Sequence, residues 1–382
     1  MDFTLSDEQE MLRNGLTKFL STRYGLERSR MAAKTGAGWQ PDIWRAFADE
    51  LGILGAALPE EVGGIGGGPV EVMVIAEALG HALVVEPYVD TAVVAAGILV
   101  RTGGERASAL LELVAAGHAI VALAAGEAQS GDRWQDVATT ARRDGAEWVL
   151  TGSKAMAVSA PLATHLLVSA RTDSAESNGE SRGVSLFLVE VGAVDSGLEM
   201  HSYRTVDDRR AADLVLAELR LPADALLGEE GQAWSSLAHA RDEGAAAVCA
   251  EAVGGMRKVL ADTVEYCRQR QQFGQPIGSF QALQHRIVDM HMELEQSVAA
   301  VYLAVLNLEA DAATRARAVS AAKATIGRAS QFIGQNAVQL HGGMGMTEEL
   351  AIGHYFKRLT AVQYEFGSTD DHVTRYAELT RG

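Results

Sequence analysis

The sequence predicts an α+β multidomain chain: a helical N-terminal domain over 1–118, an antiparallel β-domain over 119–228 and a helical bundle over 229–382. Three observations predict it. Apolar residues recur at helical spacing through the first segment. Short β-branched runs divided by Gly, Asp, Ser and Pro fill the middle. Helical spacing then returns in stretches long enough to cross a bundle, joined by short connections. With 382 residues, 48% of them hydrophobic, the chain has material for two or three cores.

In the first segment, Ser6 is the candidate N-cap of a helix and Gln9, three residues on, completes a capping box. QPDIWRAFADELGILGAA repeats the helical pattern, with Pro41 at its start. A Gly-rich loop then precedes a further helix. It is no dinucleotide fingerprint, because 64-GIGGGP-69 has Pro69 where the third glycine belongs and no strand pattern precedes it. In the middle segment AIVALAAGEA, EWVLTGSKAMAV, THLLVSART, GVSLFLVEV and AADLVLAELRL read as strands, and 172–183 between two of them reads as a mobile loop. In the last segment a long helix runs to RQRQQF, where Pro276 interrupts it. A second starts at FQALQ, a third ends at Gly342-Gly343, and AIGHYFKRLTAVQ and HVTRYAEL give two shorter pieces.

The formal net charge of −17, from 33 basic and 50 acidic residues, argues against nucleic acid or an anionic membrane as partner. The acidic start MDFTLSDEQE lacks the basic region of a secretory leader. The longest apolar run, TAVVAAGILV at 91–100, is half the roughly 20 residues a membrane span needs. A cytoplasmic chain is expected. Cys249 and Cys267, on one predicted helix, would stand about 27 Å apart, beyond disulfide reach. No Cys/His cluster has metal-ligand spacing, so no metal is expected.

Three stretches carry chemistry. In RQRQQFGQPIGSFQALQHRIVDM (268–290), the Arg270 cation precedes Phe273 and then the Phe280-Gln281 pair. A guanidinium suits a phosphate and an aromatic suits a flat ring, while a capped helix end with a solvated arginine would use the same residues. In 339-QLHGGMGMTEE-349, Gln339 places an amide near bare Gly342-Gly343 backbone, which suits close approach to a phosphate or heterocycle edge. His341 has no evident catalytic partner and reads as structural. In VQYEFGSTDDH (362–372), Glu365 is the candidate general base.

The chain resembles the acyl-CoA dehydrogenase family. The resemblance covers nearly the whole length: LPEEVGGIG and EALG, then LTGSK, then RQQFGQPIGSFQ and QLHGGMG. It implies an N-terminal helical domain, a central β-domain and a C-terminal four-helix bundle. It implies FAD as cofactor and oxidation of an acyl-CoA thioester to the 2-enoyl-CoA, with electrons passed to an electron-acceptor flavoprotein. Arg270, Phe273, Gln339, Gly342 and Gly343 match the residues that hold the adenosine diphosphate half of a neighbouring subunit's FAD, and Gln281 lies in the same motif.

The chain departs from that family where the chemistry occurs. Aligning Gly367-Ser368 on the family's Gly-Thr places Phe366, not Glu365, at the position of the catalytic glutamate. A minority of members carry the base on the first bundle helix, where this chain has Gly244-Ala245 and Glu243 is one residue off. The family's flavin-contacting aromatic and hydroxyl positions become Met156 and Val158. Two expectations follow. In one, the chain is a subunit of a heterotetramer whose base belongs to a paralogous partner acting on a lipid or steroid side chain. In the other, it is a self-sufficient homotetramer using Glu365 or Glu243.

Overall fold

The computed structural model describes residues 4–131, 133–172, 183–194 and 196–381. Most of the expected loop at 172–183 therefore lies outside the described residues. The chain divides into two compact units, one of Met1–Arg30, Pro69–Val84 and Ala245–Gly382, the other of Met31–Gly68 and Val85–Gly244.

The N-terminal part is helical, with α1 (Asp7–Arg23), α2 (Leu26–Thr35), α3 (Pro41–Asp49), α4 (Pro69–His81), α5 (Ala96–Thr102) and α6 (Glu105–Ala115). α1 begins at the reciprocal capping box of Ser6 and Gln9, and α3 begins at Pro41. A π-helical stretch, Val89–Ala95, precedes α5, so the apolar run at 91–100 is helix in a core. Among the described residues no helix is long and apolar enough to cross a membrane.

The middle part supplies β1 (Val121–Ala124), β2 (Thr140–Asp144), β3 (Glu147–Val158), β4 (His165–Thr172), β5 (Val184–Glu190), β6 (Leu198–Arg204), β7 (Arg210–Pro222) and β8 (Leu226–Leu227). Their order in the sheet is β6-β7-β3-β2-β4-β5-β8, with β1 beside β4. Most pairings are antiparallel, as expected, but β1–β4 and β2–β4 are parallel. β4 and β5 are buried on both faces, which erases the alternation that signals a half-exposed strand. The core around them holds Trp148, Leu150, Val168, Phe187 and Leu214, with Trp148 edge-on to Phe187 at 5.2 Å.

The last part contains α7 (Trp234–Gln269), β9 (Gln271–Gln272), β10 (Gln275–Pro276), α8 (Gln281–Val305), α9 (Ala312–His341), α10 (Ala351–Val362) and α11 (Thr369–Arg381). α7 ends at Gln269, before Pro276, because the chain turns back there into the β9–β10 hairpin. α9 is the inner helix, packed against α8, α10 and α11, with Val319, Ile326, Ile333 and Ala337 buried.

α4 and α7 cross with backbones almost touching. A Cβ on Gly80 would lie 1.9 Å from the Glu251 carbonyl oxygen, and one on Gly254 would lie 1.9 Å from that of Glu77. Only glycine fits at both crossing points. Gly80→Ala and Gly254→Ala are each expected to destabilise the protein by about 1–3 kcal/mol through overpacking. Urea denaturation of the purified variants measures this.

Candidate functional site

The end of α7 and the hairpin after it present the first group of site residues. Phe273 and Gly274 are the central residues of the two-residue turn between β9 and β10, with φ of 54° and 79°. Two positive φ values define a type I′ turn, which matches the twist of a hairpin but suits Asn-Gly rather than Phe-Gly. A bulky residue held there stores on the order of 1–3 kcal/mol of strain. Phe273 is moreover 92% exposed, touching the Phe280 ring edge-on at 6.1 Å. Strain spent to hold an aromatic ring in water is hard to assign to folding and easy to assign to binding. Arg270 and Gln281 are exposed on either side of the hairpin.

The end of α9 presents the second group. Gln339 is exposed in the last turn, and Gly342 caps the helix with φ 60° and ψ −140°, a conformation for glycine alone. Nothing lies within 4 Å of the Cβ position of Gly342 or of Gly343, so their backbone is open to a ligand. His341, just before them, is buried and serves structure: its Nδ1–H donates to the Ala337 carbonyl at 2.8 Å, and its ring stacks on Tyr266. A cation, an exposed aromatic, an amide and bare backbone within one unit fit the anionic half of a dinucleotide.

The loop between α10 and α11 carries Glu365 and Phe366. Glu365 is not free. Both of its carboxylate oxygens accept from Arg358, whose Nη2 bond is 2.9 Å long. Arg358 also donates from Nε and Nη2 to Glu251 on α7, at 2.7 and 3.0 Å. Side-chain exposure is 6% for Arg358, 5% for Glu251 and 15% for Glu365, so the guanidinium is a buried link between two carboxylates. The loop is pinned from α9 as well. The fully buried Lys323 ammonium donates to the carbonyls of Gln363 and Gly367 at 3.2 and 2.9 Å. His372 Nε2–H donates to the Phe366 carbonyl at 3.0 Å, while its Nδ1 faces the Ser320 hydroxyl. Phe366 itself has φ 59°.

Glu243, the alternative base, is equally occupied. Its two oxygens accept from the two terminal nitrogens of Arg101, each at 2.8 Å, a fork geometry that fixes the carboxylate.

In the β-domain, Glu127 receives the Ala138 and Thr139 backbone N–H groups and the Lys154 ammonium, the last at 2.6 Å. Burial works to raise its carboxyl, yet the Lys154 charge and these hydrogen bonds hold it below the usual range. This buried pair ties Glu127 to the strand carrying Met156 and Val158. Met156 is 54% exposed with φ 53°, its N–H donating to Asp213 at 2.9 Å. A thioether and an isopropyl group offer a heterocycle no hydrogen-bond donor.

Sequence reasoning missed Arg358, Glu251, Lys323 and Tyr266. A signal existed for two of them: Glu251 in AAAVCAEAVGG and Lys323 in SAAKATIG are lone charges in small-residue helical runs, where an unpaired charge is not tolerated.

Comparison with known proteins shows the family of the chain. The family description "Acyl-CoA dehydrogenase, N-terminal domain" matches residues 6–117, the middle domain 122–220 and the C-terminal domain 231–378. Acyl-CoA dehydrogenase FadE12 of Mycobacterium tuberculosis is 31% identical over 361 residues, covering 92% of this chain and 90% of that protein. A variant of the Tcur3481-Tcur3483 steroid ACAD superposes with a TM-score of 0.87 at 28% identity, covering 99% of each chain. The ChsE4-ChsE5 complex from Mycobacterium tuberculosis does so at 0.89 and 26%, covering 100% of this chain and 99% of that one. The chain belongs to the acyl-CoA dehydrogenase family, a family of FAD-dependent oxidoreductases.

Two stability predictions follow from the ion pairs. Arg358→Ala is expected to cost about 3–5 kcal/mol, because two buried carboxylates lose the guanidinium they share. Glu127 has a lowered pKa in the fold, so its stabilisation is present above the unfolded value of about 4.3 and lost as pH falls through the folded one. Glu127→Gln should therefore be less stable at pH 7 and lose less stability than the wild type between about pH 5 and 3. Melting curves across that range check both.

Proposed function

We propose that this chain is one subunit of a hetero-oligomeric FAD-dependent acyl-CoA dehydrogenase whose catalytic glutamate is supplied by a paralogous subunit. The observation that carries the reading is the state of the base loop: Arg358 bonds both oxygens of Glu365, and aligning Gly367-Ser368 on the family's Gly-Thr would put Phe366 in the glutamate position. A general base must reach its proton within about 3 Å with a free lone pair. Glu365 and Glu243 are each held instead in a fork by an arginine, which commits the direction of the carboxylate to that partner.

The chain's own contribution is to the cofactor. Bound FAD accepts the β-hydrogen of the acyl-CoA as hydride while a carboxylate takes the α-proton. Arg270 would bind the pyrophosphate as a cation, Phe273 would stack on the adenine, and Gln339, Gly342 and Gly343 would present an amide and open backbone, with Gln281 beside them. The segments 1–118, 119–228 and 229–382 serve as the N-terminal, middle and C-terminal domains. The similarity to the ChsE4-ChsE5 complex and to a steroid ACAD supports a heterotetramer taking lipid or steroid side-chain acyl-CoA thioesters. An electron-acceptor flavoprotein would reoxidise the flavin.

The test is co-expression with a paralogous acyl-CoA dehydrogenase chain of the same organism, followed by acyl-CoA-dependent reduction of an artificial acceptor. Glu365→Gln in this chain is expected to leave the rate of the complex within about twofold, whereas loss of a working base costs roughly 10²–10⁴-fold. Full activity of the chain alone overturns the reading. Phe273→Gly is expected to keep or raise the melting temperature, since it releases turn strain, while weakening FAD retention about tenfold through lost stacking.

A further inference from the structure

The β9–β10 hairpin that carries Phe273 has no core of its own. Residues 271–276 are all exposed, so its position is set at its root. There the Ile277 N–H donates to the Arg270 carbonyl at 2.8 Å, and the Arg270 N–H donates to the Tyr266 carbonyl at 2.8 Å. Tyr266, one helical turn before Arg270, is thus tied to that arm through its backbone carbonyl. Its ring stacks on His341 at 4.3 Å and 26°, and its hydroxyl donates to the His341 carbonyl at 3.3 Å. His341 is 5% exposed and lies between Gln339 and Gly342 in sequence. The glycine segment folds back over it so tightly that a Cβ on Gly345 would come 2.7 Å from the Val338 carbonyl and 3.1 Å from His341 Cβ.

We propose that Tyr266 and His341 form a ring clamp that sets the spacing between the Arg270–Phe273 arm and the Gly342–Gly343 arm. Both are positioning residues for the adenosine diphosphate half of the cofactor. The inference rests on the reading that this chain holds that half of FAD. Neither ring needs to touch the ligand. Their stack couples the cation on one arm to the open backbone on the other, so that both meet one dinucleotide without each being ordered separately. Prior ordering of this kind raises affinity by lowering the cost of binding.

The experiment uses the co-expressed holo-complex and measures the dissociation constant of FAD by recovery of flavin fluorescence on dilution, beside the melting temperature of the flavin-free protein. Tyr266→Leu and His341→Leu are expected to weaken FAD about tenfold, the scale of one lost aromatic pair, without a matching loss of melting temperature. Tyr266→Phe and His341→Phe keep two stacked rings and should restore affinity to within about threefold of the wild type. If a leucine variant does not fold, the two phenylalanine variants are compared with Tyr266→Met, which folds as a core residue but cannot stack. Unchanged FAD affinity in the leucine or methionine variants, or a loss that only follows melting temperature, overturns the clamp. Arg270→Ala separates the two readings. If it weakens FAD while Tyr266→Leu does not, the clamp alone fails; if Arg270→Ala leaves FAD affinity unchanged, the assignment of the nucleotide site to this chain fails with it.

Discussion

The Arg358 guanidinium, buried between Glu251 and Glu365, is the contact on which the functional half of the molecule depends. It spans α7, α10 and the loop after α10, and it does so with both of its faces committed. Removing three charged groups from water costs several kcal/mol per ion, which only complete hydrogen bonding offsets. The arrangement is therefore all or nothing: once α7 and α10 are packed, Glu365 must meet Arg358. Lys323 and His372 hold the same loop from beneath through its carbonyl groups. These contacts hold the loop that carries both Glu365 and Phe366.

The candidate nucleotide contacts lie at the ends of α7 and α9. Positive φ at a non-glycine residue is uncommon, yet Phe273, Met156 and Phe366 all adopt it. At Phe273 the strain holds a ring in water, where it gains nothing for folding. Met156 and Phe366 also hold positive φ, at 53° and 59°. Backbone geometry is held by many contacts and changes slowly, whereas a side chain is one substitution away. Under the proposed function, such a chain keeps the scaffold and the candidate nucleotide contacts and acts through another subunit's base.

Much of the fold was legible because local chemistry determines it. The Ser6–Gln9 box, Pro41 at the start of α3 and Gly342 at the end of α9 are signals whose partners lie within four residues. The sheet was legible as strands but not as a topology. The parallel pairings of β4 with β1 and β2 leave no trace in β4, which is buried on both faces. The β9–β10 hairpin was hidden because Phe-Gly is a poor turn pair, chosen against propensity. The Glu251–Arg358 contact joins residues 107 apart in sequence, which no periodicity encodes. Of the candidate site, Glu365 could be placed in the correct loop, but its occupation by Arg358 could not.

The central proposal is that neither Glu365 nor Glu243 acts as the base that takes the α-proton of an acyl-CoA. The measurement is deuterium incorporation at the α-carbon of an acyl-CoA thioester incubated in heavy water with the FAD-supplemented chain purified alone. It reports the base without requiring electron transfer. The account predicts incorporation no faster than in buffer. Incorporation well above that background, abolished by Glu365→Gln, would contradict it.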